Sequence, residues 1–485
     1  MASFPPYRAQ VVTEIPVTTR PQREEALAVA GYNAFNLPAS MVTIDLLTDS
    51  GTGAVSTAQE AAATAADRSY AGSRSFFRFQ SALNDLTRYP RILPVHQGRA
   101  AERILFSSVL SAGKLSLSNT HFDTTRANVE LLGAVAVDLP CPEFHDLDSA
   151  EPFKGNIDLG ALARYLDGPD ADRIGMVLIT ITNNGGGGQP VSMANLAEAS
   201  RLCRARGVPF FLDAARFAEN AWLVVQREKA FQDRTPREVA REAFALADGC
   251  VASLKKDGIS PMGAFIGLND TELAQRCETN LIATEGFRTY GGLGAHDLER
   301  VAKGVEEVLD PNYLRARAME ASHLAGEITQ AGVDIVQPPG IHALYLNAGR
   351  LLSHLPPSLF PGHALACELY LRGGIRCAEL GSLYLGTLNE KNELVTAAPF
   401  ELVRIALPRR VYSRAHFDYV ADVLAEIAKD PARVPGHRIV EAPATLRHFN
   451  LRTEPALPLP TPRSSHASPG GSTRSCSNHD PARHT

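Results

Sequence analysis

From about Ser56 to Gly304, short apolar runs alternate with amphipathic stretches, the pattern of a parallel α/β sheet. Met176-Val177-Leu178-Ile179-Thr180-Ile181 is an apolar run, as a strand buried on both faces requires. Pro209–Leu212, Cys250–Ser253 and Ile92–Val95 are shorter runs of the same kind. Ser192 predicts an N-cap for a helix through Arg206, which Gly207 stops. Thr235-Pro236-Arg237-Glu238 is a capping box with proline at the first helical position. It predicts a helix that ends at Gly249, just before the strand Cys250–Ser253.

Beyond Asn312 the pattern changes. The short strands Ala343–Leu346 and Leu402–Ile405 mix with helices, one of them spanning Arg414–Lys429, which predicts a smaller α+β unit. Before Ser40 there is little apolar periodicity, which suits an arm lying on a partner subunit. After Pro455 the chain is rich in Pro, Ser, Arg, His and Gly, the composition of a disordered tail. The expected division is 1–50 as an arm with part of the small domain, 51–310 as the large domain, 311–455 as the small domain and 456–485 as the tail.

With 485 residues the chain exceeds what one hydrophobic core usually serves. A formal net charge of -5 argues against nucleic-acid binding. No apolar run is long enough to span a bilayer, and no signal peptide is visible, so membrane partners are not expected. Seven scattered cysteines without CxxC pairs suggest reduced thiols in a cytoplasmic protein and give no metal-ligand pattern.

Two motifs change the picture. Asp213-Ala214-Ala215-Arg216 ends one apolar strand, and Ser253-Leu254-Lys255-Lys256-Asp257 ends another. Carboxyl ends of neighbouring parallel strands face one crevice. Pyridoxal phosphate (PLP) needs such a pair: a lysine for the Schiff base and an acid for the pyridinium nitrogen. The turn Thr48-Asp49-Ser50-Gly51-Thr52-Gly53 can offer N–H groups and hydroxyls to a phosphate. His96-Gln97-Gly98-Arg99 precedes a helical segment, and a helix N-terminus beside an arginine suits the same anion. Ser253 adds a hydroxyl, and Phe122 an aromatic face able to stack on a pyridine ring.

Together with Gly187–Ser192 and Thr289-Tyr290-Gly291-Gly292-Leu293, these motifs occur in the order found in the β-eliminating lyases, and the chain resembles that family from about Tyr7 to Arg452. The resemblance implies a fold-type I PLP enzyme, similar to aspartate aminotransferase, with a large, mostly parallel-sheet domain and a smaller α+β domain. It implies Lys256 as Schiff-base lysine and α-proton base, Asp213 at the ring nitrogen, Arg216 beside the ring oxygen and Phe122 on the ring. Ser50, Gln97, Gly98, Arg99 and Ser253 are implied as phosphate ligands, and Asn184 and Arg404 as ligands of the substrate carboxylate. Tyr70, a general acid, and Tyr290 are implied to reach in from a neighbouring subunit of a homotetramer built as a dimer of dimers.

Within the family three residues bear on the leaving group. Asp123, Leu380 and His448 all match the tryptophan-cleaving branch, the tryptophanases, rather than the tyrosine phenol-lyases. An aliphatic wall suits indole, whereas a buried phenol hydroxyl needs a polar partner. The resemblance thus implies L-tryptophan plus water giving indole, pyruvate and ammonia, with Asp123 and Tyr70 as candidate proton donors to the ring. The alternatives are a β-lyase acting on tyrosine, cysteine conjugates or another amino acid, an aminotransferase of the same fold, and a PLP-binding protein whose site has drifted.

One position departs from the family. Arg68 stands where the family has a glutamate that ligates an activating potassium ion. That reversal turns attraction into repulsion of about 4 kcal/mol at about 4 Å with an effective dielectric near 20. Activity is therefore expected to be the same in potassium and sodium buffers of equal ionic strength, and Arg68→Glu to confer dependence on potassium. Strong potassium activation of the unmodified enzyme would refute this.

Overall fold

Every residue of the strand Gly249–Ser253 is buried, and its side chains alternate between two apolar layers. Cys250 and Ala252 enter one layer, Val251 the other. The strands Phe210–Asp213 and Ile174–Thr180 behave alike, with Phe210, Leu212, Val177 and Ile179 on one side and Phe211, Met176 and Leu178 on the other. A period of two with both faces apolar leaves such strands one stable place, the middle of a sheet covered by helices on both faces.

The computed structural model describes residues 5–9, 11–443 and 446–456. Its main sheet has seven strands: β1 (Arg91–Val95), β2 (Leu115–Ser118), β3 (Val135–Asp138), β4 (Ile174–Thr180), β5 (Phe210–Asp213), β6 (Gly249–Ser253) and β7 (Ala264–Leu268). Their spatial order is β1-β7-β6-β5-β4-β2-β3. All neighbours are parallel except those of β7, which runs antiparallel to both β6 and β1. Thr180, Asp213 and Val251 are in register, so the carboxyl ends of β4, β5 and β6 open on one edge.

A second, antiparallel sheet follows, in the order β9-β10-β8, from β8 (Ala343–Asn347), β9 (Ala378–Leu380) and β10 (Leu402–Ala406). A hairpin of β11 (His437–Glu441) and β12 (Arg452–Pro455) closes the described chain. The helices used below are α1 (Arg20–Val29), α2 (Gly98–Val109), α3 (Asp123–Glu130), α4 (Met193–Ala205), α5 (Phe217–Arg227), α6 (Pro236–Ala245), α7 (Pro311–Gln330), α8 (Pro361–Gly373) and α9 (Arg414–Lys429).

Local signals acted as read, with two differences. The Ser192 side chain accepts from Asn195 N at 3.1 Å, and Gly207 ends the turn after α4 at φ +64°. Thr235 and Glu238 form their capping box. However, α6 stops at Ala245, and Gly249 is the first residue of β6. A Cβ at Gly249 would lie 2.5 Å from Gly267 O, so that glycine answers to strand packing rather than to helix termination. Residues 20–29, read as part of an arm, form a helix on the chain's own α8: Leu27 packs on Cys367 and Tyr370, and Arg23 donates to the carbonyls of Leu371 and Arg372 at 2.9 and 2.8 Å. The segment before it has no regular structure and exposes Val11, Val12 and Val17. The expected tail lies outside the described residues from 457 onward. Among the described residues no helix is long and apolar enough to cross a membrane.

The two sheets are joined by buried charge. Arg409, just after β10, donates to Asp49 at 3.0 Å, to Glu219 at 3.0 Å and to Asp257 at 2.7 Å, and is 1% exposed. Arg317 on α7 also reaches Glu219 at 3.2 Å, and Arg216 holds Asp49 through two nitrogens at 3.0 and 2.7 Å. Burial alone would push the Glu219 carboxyl up, yet Arg409 and Arg317 hold it below its usual range. Removing one member of such a network strands its partners' charge in the interior. Arg409→Met is expected to lower stability by about 3–5 kcal/mol, read as a shift of the urea unfolding midpoint at fixed protein concentration; a shift near zero would show the network to be dispensable.

Candidate active site

One cavity of about 350 Å³ opens at the carboxyl edge of the main sheet and runs between the two sheets. Lys256 reaches it from the connection after β6. Its ammonium is pushed down to about 8, by burial first and then by Arg216, against the opposing pull of Asp49, Asp213 and Glu102. An amine so placed is available as a nucleophile and a base near neutral pH. Asp213, at the end of β5, lines the same cavity, and burial raises its carboxyl above the usual range. Such a carboxyl readily shares a proton with a ring nitrogen.

The anion end of the cavity is built around the start of α2. Gln97 is its N-cap residue and makes no side-chain cap, so the first N–H groups remain for a ligand. A Cβ at Gly98 would lie 2.7 Å from Ser253 Cβ, which explains why only glycine lets β6 and α2 approach so closely. Ser50, Arg99, Ser253 and Lys255 line the same end. Lys255 is pushed down by burial and by Arg99, the mark of cations held together where an anion belongs. This donor set, two hydroxyls, free helix N–H groups and two cations, fits a phosphate. Phe122, the N-cap residue of α3, lines the same cavity.

At the opposite end Arg404, on the central strand β10, donates to Asn184 Oδ1 at 3.4 Å and to Leu47 O at 3.0 Å. Its buried Nε has no partner. Asn184 is fixed by Tyr345 Oη at 2.7 Å and His342 Nε2 at 3.1 Å. An arginine with an unanswered buried N–H beside an anchored amide suits a carboxylate. Asp123, the first residue of α3, contacts His448 Nε2 at 3.2 Å. Burial pushes the Asp123 carboxyl up, but His448 and the Thr124 N–H more than offset this and leave it lowered. Leu380 on β9 supplies an apolar wall.

Arg216 lines the cavity, with two of its nitrogens held by Asp49. Tyr70 and Tyr290 do not line the cavity of their own chain. Tyr70 is 69% exposed, stacks on Phe287 at 5.7 Å and meets Tyr290 edge-on at 5.4 Å. Arg68 beside it is exposed.

Two residues beside Asp213 and the Asp123–His448 pair escaped the sequence reading. Glu102, one turn into α2, is pushed up to about 7 by burial and by Asp213; Thr125 Oγ1 donates to it at 2.5 Å and Asn128 Nδ2 at 3.2 Å. Tyr384 meets His448 edge-on at 4.2 Å and is raised well above its usual value by burial and by Asp123. In sequence Glu102 is one charge in an amphipathic helix, and Tyr384 follows a glycine turn with no motif around it.

A β-eliminating lyase family model matches residues 45–423. The chain belongs to that family. It is 47% identical over 449 residues to a tryptophanase from Hyphomonas neptunium, covering 93% of this chain and 98% of that one. It is 46% identical to a tryptophanase from Rhodobacter capsulatus over the same shares, and 40% identical to a tyrosine phenol-lyase from Symbiobacterium thermophilum, over 93% and 98%. Among solved structures it is similar in fold to Leishmania major threonine aldolase, with a TM-score of 0.55 at 14% identity over 79% of this chain and 99% of that one. A Sphingomonas wittichii serine palmitoyltransferase gives 0.54 at 14% identity, over 81% and 88%. The fold is that of the fold-type I PLP enzymes, and the protein is a PLP-dependent carbon–carbon lyase.

Lys256→Ala is expected to abolish the near-visible absorbance of enzyme-bound PLP and nearly all lyase activity, while Lys255→Ala keeps the absorbance. Borohydride reduction followed by peptide mapping checks the assignment, and label on Lys255 would overturn it.

Proposed function

We propose that this β-eliminating lyase acts on L-tryptophan, converting it with water to indole, pyruvate and ammonia. The observation that carries the reading is the Asp123–His448 pair at 3.2 Å, with Tyr384 against it and Leu380 as the adjoining wall. An acid–imidazole pair beside an aliphatic surface suits an indole, which must gain a ring proton before it can leave. The higher identity to tryptophanases, 46–47% against 40% for the tyrosine phenol-lyase, supports the same choice.

Bound PLP supplies an electron sink for charge at the substrate α-carbon. The chain's own residues supply the rest. Arg404 and Asn184 grip the α-carboxylate and so fix which α-carbon bond stands across the ring. The Lys256 amine takes the α-proton, and its lowered affinity for protons matches that task near neutral pH. Asp213 holds the proton on the ring nitrogen, and Glu102, whose charge competes with that of Asp213, is kept closer to neutral beside it. Tyr70 of a neighbouring subunit delivers a proton to the indole ring as the β-carbon bond breaks, while the Asp123 carboxylate, oriented by His448 and Tyr384, balances the positive charge the ring gains. Tyr70 and Tyr290, outside their own cavity, complete a neighbouring subunit's site in a homotetramer. No potassium ion is required in this reading, since the Arg68 guanidinium occupies the charge position of the ion. A cytoplasmic place belongs to the same reading.

Pyruvate release is expected to be faster from tryptophan than from tyrosine. His448→Phe should lower kcat/KM for tryptophan by about 10- to 100-fold, the equivalent of about 1.5–3 kcal/mol for a hydrogen bond to a charged group. A cysteine thioether, whose leaving group needs no ring protonation, should be affected much less. Equal or faster turnover of tyrosine would refute the substrate, and an equal loss on both substrates would refute the role of the pair.

A further inference from the structure

The cavity that reaches Lys256 also extends to Tyr32, His363 and Cys367. None of these has a part in the reaction above. His363 and Cys367 stand four residues apart on α8 and therefore share one face. His437, on β11, comes from the opposite side. One ligand atom of each lies within 4.8 Å of the other two. The contact of Cys367 Sγ with His363 Nε2 is 3.6 Å, and the two imidazoles stand at 87° with ring centres 4.8 Å apart. Thr453 Oγ1 on β12 lies 2.9 Å from His363 Nε2 and 3.2 Å from His437 Nδ1. His363, Cys367, His437 and Thr453 are 6%, 6%, 2% and 4% exposed.

Two imidazoles, a thiol and a hydroxyl thus converge on one buried point. A single hydroxyl proton can serve only one imidazole lone pair, and a thiol is a weak donor. A tetrahedral zinc ion with Zn–N of about 2.0–2.1 Å and Zn–S of about 2.3 Å sets its ligand atoms roughly 3.3–3.6 Å apart. The sulfur–nitrogen pair already has that spacing. A closure of about 1 Å, within the reach of side-chain rotation, would bring the third ligand in.

We propose that His363, Cys367 and His437 bind one zinc ion per chain, with the Thr453 hydroxyl or a water in the fourth position. Binding forms one Zn–S and two Zn–N bonds and releases the thiol proton to solvent. The thiolate leaves one net positive charge, which Glu24 and Glu368, lining the adjoining cleft with Cys367 and His437, can balance. Such an ion would clasp α8 to the closing hairpin. It would also hold the turn after α1, whose Tyr32 carbonyl faces the Cys367 sulfur at 3.8 Å. Sequence reading had no signal for it, because the only local pattern is one His-x-x-x-Cys and the third ligand is far along the chain.

The test uses the full-length holoenzyme, stripped with a chelator and reloaded with zinc. One zinc per chain retained through gel filtration is expected. Cobalt(II) in its place should give a sulfur-to-metal absorption band. Cys367→Ser and His437→Gln should each cut zinc retention by more than about tenfold and remove the cobalt band, while the PLP absorbance persists. Zinc below about 0.1 per chain, a cobalt spectrum without the sulfur band, or full retention in both variants would overturn the proposal. Should Cys367→Ser not fold, the cobalt band of the unmodified enzyme and the His437→Gln variant decide alone.

Discussion

Three arginines and three carboxylates that cannot leave the interior determine where the reacting groups stand. Arg409, Arg317 and Arg216 against Asp49, Glu219 and Asp257 form a network with no net charge at the junction of the two sheets. Each member is expensive to bury alone, so the only favourable arrangement is the one in which all six meet. The consequence lies in the neighbours. Ser50 follows Asp49, Lys256 precedes Asp257, and Asp213 is three residues before Arg216. Fixing the six charges therefore fixes the main chain at Ser50, Lys256 and Asp213 relative to one another. The smaller sheet is fixed by the same act, since Arg409 follows β10, the strand that bears Arg404.

The cavity is polarised along its length. Arg99 and Lys255 make one end positive, Asp213 and Glu102 place two buried carboxyls that compete for negative charge in the middle, and Arg404 makes the other end positive. A ligand with a phosphate, a basic ring nitrogen and a carboxylate partner matches that alternation of charge. Its direction is set by the different donors at the two ends, hydroxyls and helix N–H groups at one and a single arginine with an amide at the other. Lys256 lies where these fields compete, and its proton is loosened because burial and Arg216 outweigh the nearby acids.

Much of this could be read from residues alone. The central strands declared themselves because both faces are apolar, and Asp213 and Lys256 because motif and strand end coincide. What escaped was whatever depends on distant partners. Glu102 looks like surface charge until α2 is set against Asp213. Arg409 is an ordinary arginine until three carboxylates surround it. Gly249 read as a helix stop because glycine serves both helix ends and crowded strands, and only the 2.5 Å approach of Gly267 O separates the two. The first helix was missed because its apolar face is narrow: Leu27 and the stem of Arg23 are its only buried positions. Tyr70 and Tyr290 have no reacting partner within one chain, so neither sequence periodicity nor a single subunit places them.

The strand β7 contributes no reacting group, yet it alters what the lysine can do. In a wholly parallel sheet the segment after β6 would leave on a long crossover. Here it turns straight back, with Leu254 N bonded to Gly263 O at 2.9 Å, and both of its ends are pinned in the sheet. The backbone of Lys256 thereby loses most of its freedom before any ligand arrives. The amine travels by rotation about its own four side-chain bonds, over an arc of a few ångströms. In the proposed mechanism the same short tether would let the amine hold the cofactor and also swing aside to reach the α-proton, so both proposed roles fall to one side chain without moving the main chain.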